Sequence, residues 1–125
     1  MRTTPSERLR GLLRDALAPP FAVSEKGTQY WFDEDHAGYA EIDVKRGDAF
    51  VIVTIVGALD AALEPLVARV WLTRAAEVWF VDEAASEVVR LLADGTRVTL
   101  RSRDLLTTPQ LPGVAIPVST LFETQ

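Results

Sequence analysis

The chain has no cysteine and a single histidine among its 125 residues. Without thiols there are no disulfides and no thiolate metal sites, and a cysteine-free chain fits a reducing cytoplasm. With one histidine, a Ser-His-Asp triad would have to be built on His36, and no nucleophile-elbow pattern is present. No glycine-rich phosphate loop occurs either. The longest apolar run, Ala49 to Leu59, stops at Asp60. It falls short of the roughly 20 residues that a membrane-spanning helix needs, so no membrane role is expected. The first residues, MRTTPSERLRGLL, are charged and amphipathic and lack the apolar core of a signal peptide. There is no internal repeat and no low-complexity segment. Basic residues are in deficit, with a net charge of −5. That balance argues against nucleic acid as the main partner, although a local basic patch can outweigh the global sign.

What is present suits one globular domain over residues 1–125: 48% of residues are hydrophobic and 25% charged. Thr4-Pro5-Ser6-Glu7 reads as a helix start, with Thr4 as N-cap, Pro5 in the first turn and Glu7 completing a capping box. Leu9, Leu12, Leu13, Ala16 and Leu17 form one apolar stripe, so a helix is expected over about 5–17, closed by Pro19-Pro20. Arg8, Arg10 and Arg14 lie off the stripe, on a face expected to be solvated.

A short strand is expected over 28–32 and a turn over 33–38. Residues 39–45, YAEIDVK, alternate, which predicts a half-exposed strand with Ala40, Ile42 and Val44 inside. Arg46-Gly47 is a tight turn, so Ala49–Val56 should pair antiparallel with that strand. The solid apolarity of Ala49–Val56 marks a central strand covered on both faces. A helix over about 65–74 and a strand over Glu77–Asp82 complete a βαβ unit with parallel pairing. Two further strands, 87–93 and 97–101, flank the turn dipeptide Asp94-Gly95. The proline-rich tail runs extended, with a helical turn near 119–122.

EVWFVD from Glu77, EVVRLL from Glu87, DLLTTPQLPG from Asp104 and the closing VSTLF from Val118 form an ordered series. Across residues 48–122 it resembles the C-terminal half of the Uma-two family, a bacterial branch of the PD-(D/E)xK nuclease superfamily. The resemblance implies an α/β, restriction-endonuclease-like domain, with a small mixed sheet and a βαβ unit flanked by helices, and a shortened N-terminal third. It also implies an Mg²⁺ site held by an Asp on one strand and a Glu on the next, with a Lys near the attacking water. On these residues the Asp falls on Asp43, the Glu on Thr54 and the Lys on Leu66. A threonine hydroxyl is neutral and a weak Mg²⁺ ligand, and Leu66 has no acid-base chemistry. The plainer alternative for Thr54 is a strand residue whose hydroxyl bonds to a neighbour.

Three readings of function follow. The first is a catalytically degenerate Uma-two-like protein with a binding or regulatory role, no cofactor, and a protein partner or a second copy of itself, as in a homodimer. The second is a divergent Mg²⁺-dependent endonuclease with a displaced site at Glu41, Asp43 and Lys45, which share one face of one strand. The third is a small acidic interaction module of the immunity or antitoxin type. Arg97, Thr99, Arg101 and, if the strand runs on, Arg103 share one face; the arginines are the best basic stripe in the chain and candidates for binding phosphate or an acidic partner. The acidic turn Asp33-Glu34-Asp35-His36 is a weaker metal candidate beside the plain reading of a solvated turn.

Overall fold

The computed structural model describes residues 5–17, 21–23, 28–31, 37–40, 42–46, 49–56, 72, 75–111 and 113–122. Helix α1 spans Pro5–Ala16. Its leucines at positions 9 and 13 and Leu17 just after it are buried, Leu12 is half-buried, and Ala16, expected inside, is exposed. The buried stripe therefore narrows to one residue per turn. Thr4, the expected cap, lies outside the described residues.

Ten strands are described: β1 (Ala22–Val23), β2 (Thr28–Trp31), β3 (Ala37–Ala40), β4 (Ile42–Arg46), β5 (Ala49–Val56), β6 (Glu77–Asp82), β7 (Glu87–Leu92), β8 (Arg97–Leu100), β9 (Leu105–Leu106) and β10 (Ile116–Pro117). Six form the main sheet in the order β1-β4-β5-β6-β7-β8. Strands β4 and β5 are antiparallel, as the Arg46-Gly47 turn predicted. Strands β5 and β6 are parallel, with Ile52 opposite Val78 and Thr54 opposite Phe80. This is the pairing that a βαβ unit requires. The crossover helix expected over 65–74 lies outside the described residues. Strands β6, β7 and β8 continue as an antiparallel meander.

The alternating stretch 39–45 is not one strand. Tyr39 and Ala40 belong to β3, which pairs with β2 in a separate hairpin, whereas residues from Ile42 onward join the main sheet. Nor is β4 half-exposed along its length: Ile42 and Val44 are buried on one side, and Asp43, on the other, is buried too. Ile42 and Val44 are inside as expected, and Lys45 is exposed as expected.

One core lies on a single face of the sheet. Ile42, Val44, Val51, Val53, Trp79, Val81 and Val88 meet Leu9 and Leu13 of α1, Leu17 just after it, and a C-terminal group of Leu106, Leu111, Val114, Ile116, Val118 and Leu121. Each such fully buried aliphatic side chain contributes about 1.5–3 kcal/mol. The C-terminal group is folded by β9–β10 pairing and a 3₁₀ turn over Val118–Leu121. Arg8 is not simply solvated: its guanidinium donates to the Thr120 carbonyl at 2.6 Å and ties α1 to that turn.

The β7–β8 hairpin closes with Leu92 N–H on the Thr96 carbonyl at 2.9 Å and Gly95 N–H on the Leu92 carbonyl at 3.0 Å. Gly95 has φ of 93°, so this is a turn followed by a left-handed glycine, a conformation that fits the sheet twist. Asp94 carboxylate accepts the Thr96 N–H at 2.8 Å. Hydrogen bonds from the Thr96 side chain and backbone hold that carboxyl below its usual range. A Cβ at position 95 would meet open space, so the penalty of Gly95→Ala is purely conformational. The variant should lose about 1–2 kcal/mol in urea unfolding. No loss would mean that the hairpin re-forms with another turn.

Candidate functional site

Register divides the sheet into two faces, because residues directly opposite one another point the same way. The face bearing Trp79, Val81 and Val88 carries the main core. The other face bears Asp43, Ile52, Thr54, Val78, Phe80, Asp82 and Val89, read through the pairs Asp43 with Ile52, Thr54 with Phe80 and Phe80 with Val89. Val78, Phe80 and Val89 are buried there without belonging to the main core.

Asp43 is 9% exposed. Since Asp43 faces Ile52, Thr54 stands two residues along β5 on the same face, the diagonal neighbour position. Such neighbours lie about 7–8 Å apart, within reach of two long side chains that share a ligand. Positions 43 and 54 are therefore diagonal neighbours on adjacent strands. The chain puts a carboxylate at the first and a hydroxyl residue at the second.

Asp82, 7% exposed, is the next carboxylate on this face. It lies at the end of β6, opposite Val56. From Asp43 that is four residues along the strands and two strands across, about 16 Å from strand spacings. Its Oδ1 accepts the Ala85 N–H at 3.2 Å and caps the β6–β7 turn. Asp43 and Asp82 therefore do not converge on one ion. No group of three His, Cys, Asp or Glu able to hold a metal occurs among the described residues. Mg²⁺ is commonly held by one or two carboxylates together with waters, and of positions 43 and 54 the first supplies a carboxylate. Of the displaced-site residues, Lys45 is exposed where Asp43 is buried, and Glu41 lies outside the described residues. Leu66, His36 and the acidic turn 33–35 also lie outside them.

A second polar cluster sits on the core face, and the sequence reading did not single it out as a site. Glu77 is 1% exposed. Its Oε1 accepts the Trp79 indole N–H at 3.0 Å and the Arg90 Nε–H at 2.9 Å. Its Oε2 accepts the Thr108 hydroxyl, whose oxygen in turn accepts the Gln110 N–H at 3.2 Å. Register explains the convergence: Trp79 is opposite Arg90, and Glu77 is two residues back on the same face. The visible signal was an acid and a base each lodged in an apolar strand, EVWFVD and EVVRLL. Buried charges of this kind persist when paired and hydrogen-bonded. With every described oxygen of Glu77 engaged by donors, this cluster fastens the 108–110 loop to the sheet and offers no open position to a substrate.

Of the basic stripe, Arg97, Arg101 and Arg103 are exposed, but β8 ends at Leu100 and the chain turns, with Asp104 N–H on the Arg101 carbonyl at 2.8 Å, so Arg103 does not continue the strand face of Arg97. Arg101 Nε–H donates to Glu87 Oε2 at 3.0 Å, with side-chain exposures of 66% and 24%. Arg101 N–H is held by Asp104 Oδ2 at 2.8 Å.

No protein-family model matches this sequence, and no curated protein matches it. Among solved structures it is similar to a "putative nuclease belonging to DUF820" from Anabaena variabilis ATCC 29413, with a TM-score of 0.68 and 11% identity over 98% of this chain and 82% of that one. At that identity the likeness establishes fold. The resemblance drawn from the Glu77–Phe122 series thus holds at the level of the backbone: the chain has a restriction-endonuclease-like fold.

Proposed function

We propose that this protein is a catalytically degenerate member of its nuclease fold, acting in the cytoplasm by binding a protein partner or a second copy of itself rather than by cutting nucleic acid. The observation that carries the reading is the pair of register positions 43 and 54, diagonal neighbours on adjacent strands, which hold one buried carboxylate and a threonine. A divalent ion at that pair would be held by one negative charge where the fold calls for two. The interaction-module reading shares this absence of chemistry and differs only in descent.

The test is Mn²⁺ titration followed by electron paramagnetic resonance and calorimetry. Wild-type protein should show no saturable binding in the micromolar range, and Thr54→Glu should gain a site that Asp43→Ala then abolishes. Saturable binding by the wild type that disappears in Asp43→Ala would overturn the reading in favour of the displaced site at Glu41, Asp43 and Lys45.

A further inference from the structure

We propose that Asp94–Gly95 is a latent site of isoaspartate formation in this chain, and that the folded β7–β8 turn, through Thr96, holds that modification in check. The inference concerns the chemical durability of the hairpin and is independent of the reading of Asp43 and Thr54.

The chain has no asparagine, and of its aspartates only Asp94 precedes a glycine. Isomerisation begins when the backbone nitrogen of the following residue attacks the aspartate Cγ. The N–Cγ bond forms, the carboxyl hydroxyl leaves with the amide proton as water, and a five-membered succinimide closes. Water then opens the ring at either carbonyl. One opening restores aspartate; the other leaves the main chain running through Cβ and Cγ, which is isoaspartate. Glycine has no Cβ to obstruct the attacking nitrogen, so an Asp-Gly pair is the labile one. Asp94 and Gly95 are both exposed, so burial does not keep water from them.

The geometry of the turn opposes ring closure instead. Gly95 N–H donates to the Leu92 carbonyl at 3.0 Å, so the attacking nitrogen must first give up a hydrogen bond. Ala93 and Asp94, the central residues of that turn, both have negative φ, since Ser86 is the one described non-glycine residue with positive φ. Together with the Gly95–Leu92 bond this makes a type I turn, which sets Asp94 at a ψ of about 0°. Ring closure needs Asp94 Cβ eclipsed with the Gly95 nitrogen about the Cα–C bond, and that ψ holds them apart. The carboxylate is also turned past Gly95 onto Thr96, whose N–H it accepts at 2.8 Å. Hydrogen bonds from the Thr96 side chain and then its backbone hold the carboxyl below its usual range. It therefore stays ionised, and a carboxylate has no hydroxyl to expel. Were isoaspartate to form, the loop would gain a methylene in its main chain. The Leu92 N–H bond to the Thr96 carbonyl, which closes the hairpin, would lose its geometry, and β8 at the end of the sheet would lose its register on β7.

The experiment ages the full chain at mildly acidic pH, folded and in urea, and measures isoaspartate at position 94 by peptide mapping with electron-transfer fragmentation. Isoaspartate should form in urea and accumulate about tenfold or more slowly in the folded chain. Thr96→Ala should speed the folded-state reaction several-fold and leave the urea rate unchanged, because it removes the hydroxyl contact and keeps the Asp94–Gly95 pair. Thr108→Val, which weakens the fold at a distance, should not speed it. Equal rates in the folded chain and in urea would overturn the proposal, as would a Thr96→Ala rate equal to that of wild type. Equal acceleration by Thr108→Val would also overturn it, by placing control in global unfolding rather than in the turn. None of these outcomes depends on metal binding at Asp43.

Discussion

Glu77→Leu should be among the most destabilising single substitutions in this protein, costing about 3–5 kcal/mol. The cost does not come from the lost attraction alone. Glu77 is 1% exposed and Arg90 11%, so removing the carboxylate strands a guanidinium away from water. It also leaves the Trp79 indole N–H and the Thr108 hydroxyl without their acceptor. Each buried donor orphaned in this way adds about 1–3 kcal/mol. Urea unfolding followed by tryptophan fluorescence measures the effect. Thr108→Val, which removes one arm and keeps the ion pair, should cost about 1–2 kcal/mol. The double variant Glu77→Leu/Arg90→Leu should recover much of the single loss, because buried pairs replaced together by apolar residues are often neutral. A Glu77→Leu loss under about 1 kcal/mol would show that the cluster is dispensable for folding.

That cluster also explains why the C-terminal half was legible in the sequence while the catalytic region was less so. Glu77, Trp79, Arg90 and Thr108 are scattered over three segments yet make one contact set, so together they leave an ordered trace. The parallel pairing of β5 and β6 was legible for a different reason: two apolar strands separated by a helix-length stretch admit few other arrangements. Strand β4 was not legible. The alternation of residues 39–45 runs unbroken through Glu41, so nothing in its period marks the passage from the β2–β3 hairpin into the main sheet. A period of two also reports which residues share a face, not whether that face is wet. Ile42 and Val44 were placed inside correctly, but Asp43 was placed on a solvated face, and only its position between β1 and β5 and its burial reveal otherwise. The Arg101–Glu87 pair needs the β7–β8 register, which composition does not contain.

The purified protein should show no Mg²⁺- or Mn²⁺-dependent cleavage of DNA or RNA. Phosphodiester hydrolysis needs charge neutralised at the attacked phosphate and a water made nucleophilic. By the resemblance, the fold would supply these with carboxylates at positions 43 and 54 holding a metal and an ammonium at position 66. The chain carries aspartate, threonine and leucine at these positions. On that resemblance it would be short of one negative charge to bind the metal and one positive charge to meet the phosphate. Loss of one preorganised group costs on the order of 10²–10³ in rate, so loss of both leaves nothing measurable above background. The comparison is between wild type, Asp43→Ala and the double variant Thr54→Glu/Leu66→Lys, on single- and double-stranded substrates with and without metal. Cleavage by wild type that vanishes in Asp43→Ala would sink the expectation and move the chemistry to the strand bearing Glu41, Asp43 and Lys45. Cleavage gained only by the double variant would show that Thr54 fills a catalytic position from which the charge is gone. The register makes the carboxylate half of that gain accessible without moving strands β4 and β5, since position 54 already stands diagonal to Asp43.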